Sequence, residues 1–470
     1  MSEKKIVMND HQATLGKTGL TMALSTIIFA DLYALFAAAA RMPGIYEWLP
    51  SMDFFHIALV THVNLAIVIW FSAFCGLLCL LSRIIPQEPS RTWRMIAWTG
   101  TFCSTLGMVL IVIAPFVGAE NPVMANYIPV LDHPLFFTAL FLVFLGVMLT
   151  MSLPFIAANK EDSLPLHPDF SFGMKLTGMT FLIAMVCLIL ALVQIPPSHS
   201  LPYFETVFWG SGHILQFVNT LALLSCWILL YYKILGEIPL PSWCLRGLLA
   251  LITLFALPAP LFYFIFDVQG PKFIAAFTFL MRWGLGVSTI LIGGSIVLHC
   301  IRHRSLLSWK DPLLLSLLVS IGLFGYGGVI GALLNNSDVK IPAHYHGVIG
   351  AVTLAFMGTS YVIIPVMGKV LHQTRLIIWQ PILCGGGGVF FVTGLFWAGS
   401  HGVARKVAGA GQGLDNIGKI LGMSLMGIGG LVTFFGLLVF LYVVFKSLYP
   451  KRVFSPVKTM EKLSSPSFLN

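Results

Sequence analysis

Charged side chains are scarce in this 470-residue chain. They make up only 10% of it, while hydrophobic residues make up 57% and the mean hydropathy is +0.90. A soluble globular domain is excluded, because so few polar groups cannot cover its surface. We expect the net charge of +9 to reflect membrane topology, with lipid as the surrounding partner and no nucleic acid bound.

Several sequence motifs of catalytic and metal-binding sites are also missing. The eight cysteines contain no CxxC pair, so they predict no disulfides and are interpreted as small packing residues. The absence of HExxH, GxSxG and EF-hand patterns leaves no signal for a zinc protease, a serine hydrolase or a calcium site. Without a CxxCH motif for covalent haem, the electron-donor site is expected on another subunit.

Long apolar segments are abundant. Each has 18 or more residues, enough to cross a hydrocarbon core about 30 Å thick. They predict an all-α, polytopic membrane protein, a twelve-helix bundle over 17–446 between a cytoplasmic N-terminus, 1–16, and a basic cytoplasmic tail, 447–470. The segments lie near 17–40, 56–82, 94–118, 134–158, 172–196, 206–232, 244–266, 272–300, 312–334, 343–367, 376–399 and 417–445.

The distribution of Lys and Arg predicts the orientation. Apart from Arg282, which lies inside a helix, 20 of them fall on the side of the N-terminus and six on the other, as the positive-inside rule requires of cytoplasmic segments. We therefore expect a multi-pass protein of the plasma (inner) membrane with both termini in the cytoplasm. The few on the outer side are Arg41, Lys272, Lys340, Arg405, Lys406 and Lys419.

Four histidines lie near the outer ends of three predicted helices. His62 is on the second, His213 on the sixth, and His344 and His346 on the tenth. Counting 1.5 Å per residue places them in one layer about 10 Å below the outer surface. Intramembrane histidines are uncommon and tend to be functional, so this layer predicts prosthetic groups lying side by side.

The His344 and His346 pair carries a further constraint. Residues two apart on a helix are rotated by about 200° around its axis, so they cannot bind one ion together. If both are ligands, they serve two centres held at a fixed separation within electron-transfer range. The alternative is that they are two polar residues at a helix start.

Four stretches resemble subunit I of the haem-copper oxidase superfamily, which includes cytochrome c and quinol oxidases and the nitric oxide reductase large subunit. The resemblance extends over all twelve helices. Its stretches are VTHV at 60–63, VFWGSGHILQF at 207–217, DPLLLSLLVSIGLFGYGGVIGALLNNS at 311–337 and HYHGVIGA at 344–351.

The resemblance implies a role for each histidine. His62 and His346 correspond to the two axial ligands of a low-spin haem, and His344 to the single ligand of a high-spin haem. His213 corresponds to one ligand of a neighbouring copper or non-haem iron. Two haems are therefore implied as cofactors.

The resemblance also implies which residues contact the haem propionates and which type of haem is bound. Arg405 and Lys406 take the place of a basic pair against haem propionates. Phe29 stands where oxidases with a formylated haem often place an arginine, which favours b-type haems.

The chain departs from the superfamily at the second metal. Phe262 and Tyr263 stand where an adjacent histidine pair completes that site, and Phe217 stands where many oxidases have tyrosine and nitric oxide reductases glutamate. A divalent metal normally needs three or four donors, so copper or non-haem iron is not supported here. Tyr263 is a candidate proton or hydrogen-bond donor beside the high-spin haem.

Charges inside the predicted helices are few. Asp31 and Arg282 each lie about 15 Å from the outer end of their helices. A lone charge at that depth is costly, so the two residues form either a structural ion pair or part of a path for protons or anions.

Small residues and prolines predict the packing of the bundle. The glycine runs at 322–331 and 385–388 predict close helix packing. Four prolines are expected to kink or end helices, namely Pro115, Pro258, Pro260 and Pro365.

Three functions fit these observations. The first is a respiratory oxidoreductase of the cytochrome oxidase and nitric oxide reductase type. It passes electrons from a cytochrome c or quinol through the low-spin haem to a high-spin haem that binds O2 or NO. A second subunit with a cytochrome c or cupredoxin-like domain is its expected partner.

The second function is that of a non-catalytic dihaem paralogue, acting as electron conduit, gas sensor or assembly partner. The third is a cofactor-free transporter.

Overall fold

The computed structural model describes residues 8–45, 52–156, 164–334, 338–372 and 375–450. Twelve of its helices are long and apolar enough to cross a membrane, which confirms the predicted all-α bundle. Most of the predicted cytoplasmic tail lies outside the described residues. The helices are α1 Asp10–Ala39, α2 Asp53–Leu81, α3 Arg91–Phe116, α4 Pro134–Phe155, α5 Pro168–Gln194, α6 Leu201–Leu235, α7 Ser242–Ile265, α8 Pro271–Arg302, α9 Pro312–Ala332, α10 Lys340–Val366, α11 Leu376–Ser400 and α12 Ile417–Leu448.

Several of these helices contain or end in an irregular turn, and proline, which lacks a backbone donor, lies in three of these turns. A 3-10 turn at Ala259–Leu261 breaks α7 beside Pro258 and Pro260, as predicted. Pro115 lies in the 3-10 turn that ends α3, and Pro365 lies one residue before the end of α10. The remaining irregular pieces are a π-helical stretch of α2 at Asn64–Ile69, a break in α8 between Pro271–Gly284 and Gly286–Arg302, and 3-10 turns at Leu153–Phe155, Arg304–Leu306 and Gly409–Gln412.

Four two-residue strands tie the loops together. β1, Arg83–Ile84, pairs antiparallel with β4, Leu164–Pro165, and joins the loops that follow α2 and α4 on one face of the bundle. β2, Pro122–Val123, pairs antiparallel with β3, Val130–Leu131, inside the loop between α3 and α4 on the opposite face.

Three helices form the interior of the bundle. In the apolar 18-residue stretch of each spanning helix, the share of buried residues is 78%, 83% and 78% for α2, α6 and α10, and at most 50% for every other helix. These three carry the histidines singled out in the sequence. Helix α10 contacts both α2 and α6, and the more exposed helices pack around the three as successive pairs, such as α3 with α4 and α11 with α12. The histidines are thus placed inside the bundle.

Glycine brings the backbones of α9 and α10 into direct contact. A Cβ atom on Gly327 would lie 2.8 Å from the carbonyl oxygen of His344, and one on Gly347 would lie 2.7 Å from the Cα of Gly327. Helices α11 and α12 approach similarly at Gly387 and Gly429. The predicted close packing is confirmed at these positions. Three glycines of the α9 run border open space instead, namely Gly322, Gly325 and Gly328.

Candidate functional site

Three of the histidines share one hydrogen-bond pattern. The Nδ1 atoms of His62, His344 and His346 lie 2.9, 2.8 and 2.8 Å from the carbonyl oxygens of Ala30, Gly327 and Pro342, respectively. A carbonyl only accepts, so each Nδ1 carries the proton and Nε2 keeps its lone pair. No described residue hydrogen-bonds these Nε2 atoms. Histidines that bind metals are usually held in this way.

The side chains of His344 and His346 point to different sides of α10, which confirms the prediction from their spacing. His344 bonds to α9. The ring of His346 lies 4.7 Å from that of Phe391 on α11. His346 is also close enough to His62 for the two imidazoles to interact electrostatically. One pair of imidazoles and one separate imidazole therefore flank α10.

A π-helical turn adjoins His62. It covers Asn64–Ile69, and Asn64 at its start donates from Nδ2 to the carbonyl oxygens of Val60, at 2.9 Å, and Pro129, at 2.7 Å. Such turns are rare and frequently occur at functional sites. The bond to Pro129 anchors this part of α2 to the loop before α4, which helps to fix the direction of His62.

The local shape of α9 accommodates His344. A Cβ atom on Gly331 would lie 2.5 Å from Nδ1 of His344, so only glycine leaves room for the ring at this position. One turn earlier, the Gly327 carbonyl accepts the proton of the same nitrogen. The glycines of α9 therefore both position and make space for one imidazole.

His213 differs from the other three. Its Nδ1 donates to the Trp209 carbonyl oxygen at 2.8 Å, and its Nε2 lies 3.0 Å from the hydroxyl of Tyr127. The residue is buried, and its ring packs 5.7 Å from that of Phe277. Because the protein occupies both ring nitrogens, His213 offers no lone pair unless the Tyr127 bond breaks.

The surroundings of His213 do not fit a second metal either. Phe262 packs edge-on against Phe277 at 5.4 Å, and Phe217 is fully buried. Phenylalanine rings therefore fill two of the three positions at which the resemblance implies further donors, and Tyr263 stands at the third. Within the described ranges, the only group of His, Cys, Asp or Glu able to hold a metal ion lies elsewhere, at Glu237, His299 and His303.

Unpartnered polar atoms surround His213. The Trp209 Nε1, the Ser211 hydroxyl and the Tyr263 hydroxyl are all buried and find no hydrogen-bond partner in the described chain. The Tyr263 hydroxyl lies so close to Gly210 that a Cβ atom there would overlap it. Buried polar groups are nearly always satisfied, so this region fits a small polar occupant such as water beside Tyr263.

The predicted basic pair lies in a loop attached to the start of α10. The Val339 N–H donates to the Val403 carbonyl at 3.2 Å, and the two segments form a β-bridge. Lys406 donates from Nζ to the carbonyl of Met124 and to Asn126, with the second bond at 3.0 Å, and Arg405 also donates to Asn126. These two cations are therefore fixed relative to the histidine-bearing helix.

The backbone at Lys406 is unusual. Its φ of 61° places a non-glycine residue in the left-handed region, which costs energy and persists where surrounding contacts enforce it. The carbonyl of Lys406 lies 3.1 Å from Nε2 of His56, which is one such contact. Burial, the largest cause, lowers the pKa of Lys406 to about 8, and the charge of Arg405 adds to this.

Sequence reasoning missed a third cation, Arg41. It donates from Nη2 to the Ala404 carbonyl at 3.2 Å and lies near Tyr345 and His346. Burial lowers its pKa to about 10. The sequence could have indicated this role, because Arg41 lies just after α1 on the same predicted side of the membrane as Arg405. Together the three cations favour an anionic group next to the His346 end of α10.

The two charged residues predicted to lie inside the membrane, Asp31 and Arg282, do not pair with each other. Arg282 is exposed on α8, while Asp31 is half-buried on α1, and no ion pair joins them in the part of the chain that the structure describes. The structural ion pair considered from the sequence is therefore wrong. Asp31 directly follows Ala30, whose carbonyl holds His62.

Comparison with known proteins adds to this geometry. The family model described as "Cytochrome C and Quinol oxidase polypeptide I" matches residues 14–451. An uncharacterised protein of Rickettsia prowazekii (strain Madrid E) is 27% identical over 512 aligned positions, which cover 93% of this chain and 97% of the relative. An uncharacterised protein of Aquifex aeolicus (strain VF5) is 28% identical over 364 positions, covering 74% and 84%.

Among solved structures, a heme-copper terminal oxidase dimer determined by cryo-EM has a similar fold. The TM-score is 0.73 at 16% identity, with 94% of this chain and 84% of that chain covered. The family match spans nearly the whole sequence, and the predicted resemblance is confirmed. The chain belongs to the family of cytochrome c and quinol oxidase polypeptide I.

Proposed function

We propose that this chain is a respiratory, subunit I-like oxidoreductase that holds two haems. His62 and His346 would hold a low-spin haem that takes electrons from a cytochrome c or quinol, and His344 would hold a high-spin haem that receives them and binds O2 or NO. The observation that carries the proposal is the shared Nδ1-to-carbonyl bond of these three histidines. A cofactor-free transporter gives no reason for this arrangement.

The chain's own groups prepare each ligand. The carbonyls of Ala30, Pro342 and Gly327 fix the tautomer and the direction of the rings, so that little reorganisation is needed for each Nε2 to bind iron. A haem held by His62 and His346 would supply single-electron exchange, and a haem held by His344 alone would supply a place where a gas binds.

The propionates are assigned to the outer cations. Arg405, Lys406 and Arg41 offer donors for charge-assisted hydrogen bonds, and a bound anion would offset the cost of burying them. The assignment to b-type haem rests on Phe29, which offers no hydrogen-bonding group from α1.

A second candidate, a dihaem conduit or gas sensor without turnover, is favoured by one observation. His213 is engaged at both nitrogens, and among the described residues it belongs to no group of three potential metal ligands. We therefore propose no step that uses copper or non-haem iron. Tyr263 remains the proposed proton or hydrogen-bond donor near the high-spin haem, since its hydroxyl has no partner within the described residues.

The proposed setting follows the predicted topology. The protein spans the plasma (inner) membrane with both termini in the cytoplasm. A second subunit with a cytochrome c or cupredoxin-like domain delivers electrons on the outer side, where the loop with Arg405 and Lys406 lies.

An absorbance spectrum of the purified protein tests the proposal. We expect two haems per chain after dithionite reduction, only one of which shifts on adding carbon monoxide. Metal analysis separates the candidates: a stoichiometric copper or additional iron supports turnover at a second metal, whereas its absence supports the conduit or sensor. A protein that purifies folded without haem would contradict both.

A further inference from the structure

A second cluster of potential metal ligands lies far along the chain from the haem histidines. It consists of Glu237, just after α6, and His299 and His303, at the end of α8. One ligand atom from each side chain lies within 4.8 Å of the other two. All three residues are at the face of the membrane where α1 begins, because even-numbered helices end there. The haem proposal does not use them.

Local structure brings these side chains together. His299 and His303 are four residues apart, so they lie on the same face of the last turn, where the His303 N–H donates to the His299 carbonyl at 2.9 Å. Gly236 ends α6 in the left-handed conformation with φ 75°, and its N–H donates to the Tyr232 carbonyl at 2.8 Å. This turn directs Glu237 towards the end of α8.

The polar atoms of the cluster are not satisfied by one another. Nδ1 of His299 is buried and has no hydrogen-bond partner among the described residues. Nε2 of His303 lies 3.9 Å from the carboxylate of Glu237, which is too long for a hydrogen bond. Zinc bonds of about 2.0–2.2 Å in a tetrahedral site separate ligand atoms by roughly 3.4 Å. Small rotations of these side chains therefore accommodate an ion.

The imidazoles of the cluster, more than the charges around it, favour imidazole-binding metals over hard cations. Arg302, Arg304 and Lys233 are exposed nearby and oppose any cation. The carboxylate of Glu237 and the negative end of the α8 dipole act in the other direction. Two neutral imidazoles add directional bonds that late first-row metals accept and that Mg²⁺ or Ca²⁺ do not prefer.

We propose that Glu237, His299 and His303 bind a late first-row divalent metal ion of the Zn²⁺ type, with a fourth position open to water. The bound ion joins the ends of α6 and α8. This site is independent of the haems, so the two proposals are tested separately.

Zinc binding to the purified full-length protein, stripped with EDTA and then desalted, tests the proposal by titration calorimetry. We expect one Zn²⁺ per chain. His303→Ala is expected to lower the affinity more than tenfold, and Glu237→Gln, a change on the surface, several-fold. Equal affinity in the parent and His303→Ala proteins, or no zinc bound by the parent, would overturn the proposal.

A matched control comes from another histidine–carboxylate pair. His11 lies 3.2 Å from Glu88 without a second histidine, so His11→Ala is expected to leave zinc affinity unchanged. A loss with His11→Ala as large as with His303→Ala would show non-specific binding and overturn the site. Circular dichroism of every variant, which does not depend on haem, reports folding. X-ray absorption at the zinc edge should show nitrogen and oxygen ligands, and sulfur ligands would contradict the assignment.

Discussion

The histidines of this protein differ in the hydrogen bonds that their ring nitrogens make. His344 and His213 both lie inside the bundle, but only His344 has a ring nitrogen left for a ligand. A residue's identity predicts that it is able to bind a metal, whereas its hydrogen bonds decide which atom is available. The haem assignment and the argument against a second metal both rest on this difference.

Replacing His346 tests the low-spin assignment. We expect His346→Ala to reduce the haem content from two per chain to one and to remove the low-spin signal, because a single imidazole no longer completes the pair with His62. A pyridine haemochrome assay measures this. His401 makes the same bond to the carbonyl four residues earlier, at 2.8 Å, but is exposed. His401→Ala should therefore keep both haems.

Removing the Tyr263 hydroxyl tests its role near the high-spin haem. We expect Tyr263→Phe to change the carbon monoxide stretching frequency and the rate of rebinding after photolysis, since the polar group beside the gas is lost. Stability should stay the same or rise by about 1 kcal/mol, because an unpaired buried hydroxyl is removed. Tyr231, whose hydroxyl is also buried and has no hydrogen-bond partner among the described residues, provides the control. Unchanged spectra and kinetics in Tyr263→Phe would contradict the role.

The lowered pKa of Lys406 predicts a pH dependence of the stability of the protein after its haem has been extracted. The folded protein releases this proton near pH 8, while the unfolded chain keeps it to about 10.5. Between these values the unfolded state binds more protons than the folded state, so the free energy of unfolding rises with pH. Below about pH 8 the folded protein bears the full cost of burying the charged amine of Lys406. We expect the thermal midpoint to rise from pH 8 to 10. Lys406→Met should flatten this rise, and so should bound haem, whose propionates favour the charged amine.

At the scale of elements, α9 and α10 act as one unit around His344. Contact between backbones at Gly327 and Gly347 sets their separation, and the space at Gly331 admits the imidazole. The glycine run predicted close packing from the sequence. It did not show which glycines make contact and which border open space, because that depends on how α9 is rotated in the bundle.

Adding one methyl group to α9 tests this arrangement. We expect Gly331→Ala to displace the His344 ring and to lower the high-spin haem content by at least half, measured as carbon monoxide-binding haem per chain. Gly328→Ala, on the same helix, meets nothing within 4 Å and should retain full content. If both variants keep the carbon monoxide-binding haem, the close fit at Gly331 is not required.

Hydropathy predicted the helices well but not their ends or irregularities. Helix α6 begins at Leu201 and α10 at Lys340, several residues before the predicted starts, since polar residues continue a helix beyond the apolar core. Counted along its own helix, His213 lies about 18 Å from the start and His344 about 6 Å. The common depth of the histidines therefore stays a prediction. The π turn after His62 depends on the Asn64 bond to Pro129, a contact between distant segments.

At the scale of the whole molecule, the bundle encloses α2, α6 and α10 and keeps their polar residues away from lipid. Family, number of helices and candidate ligands were all predicted from the sequence. The engagement of His213 by Tyr127 was not, because Tyr127 lies in a loop whose position depends on the assembled fold. Arg41 was missed for a similar reason, since its neighbours Ala404 and Gln412 come from the far end of the chain.

In the proposed arrangement a single helix, α10, supplies ligands to two different haems. Electron paramagnetic resonance of the oxidised protein distinguishes the two. We predict one low-spin ferric signal from a haem with two imidazoles and one high-spin signal from a haem with a single imidazole, in equal amounts. His344→Ala should remove only the high-spin signal. Two low-spin signals in the parent, or a high-spin signal that survives His344→Ala, would contradict the account.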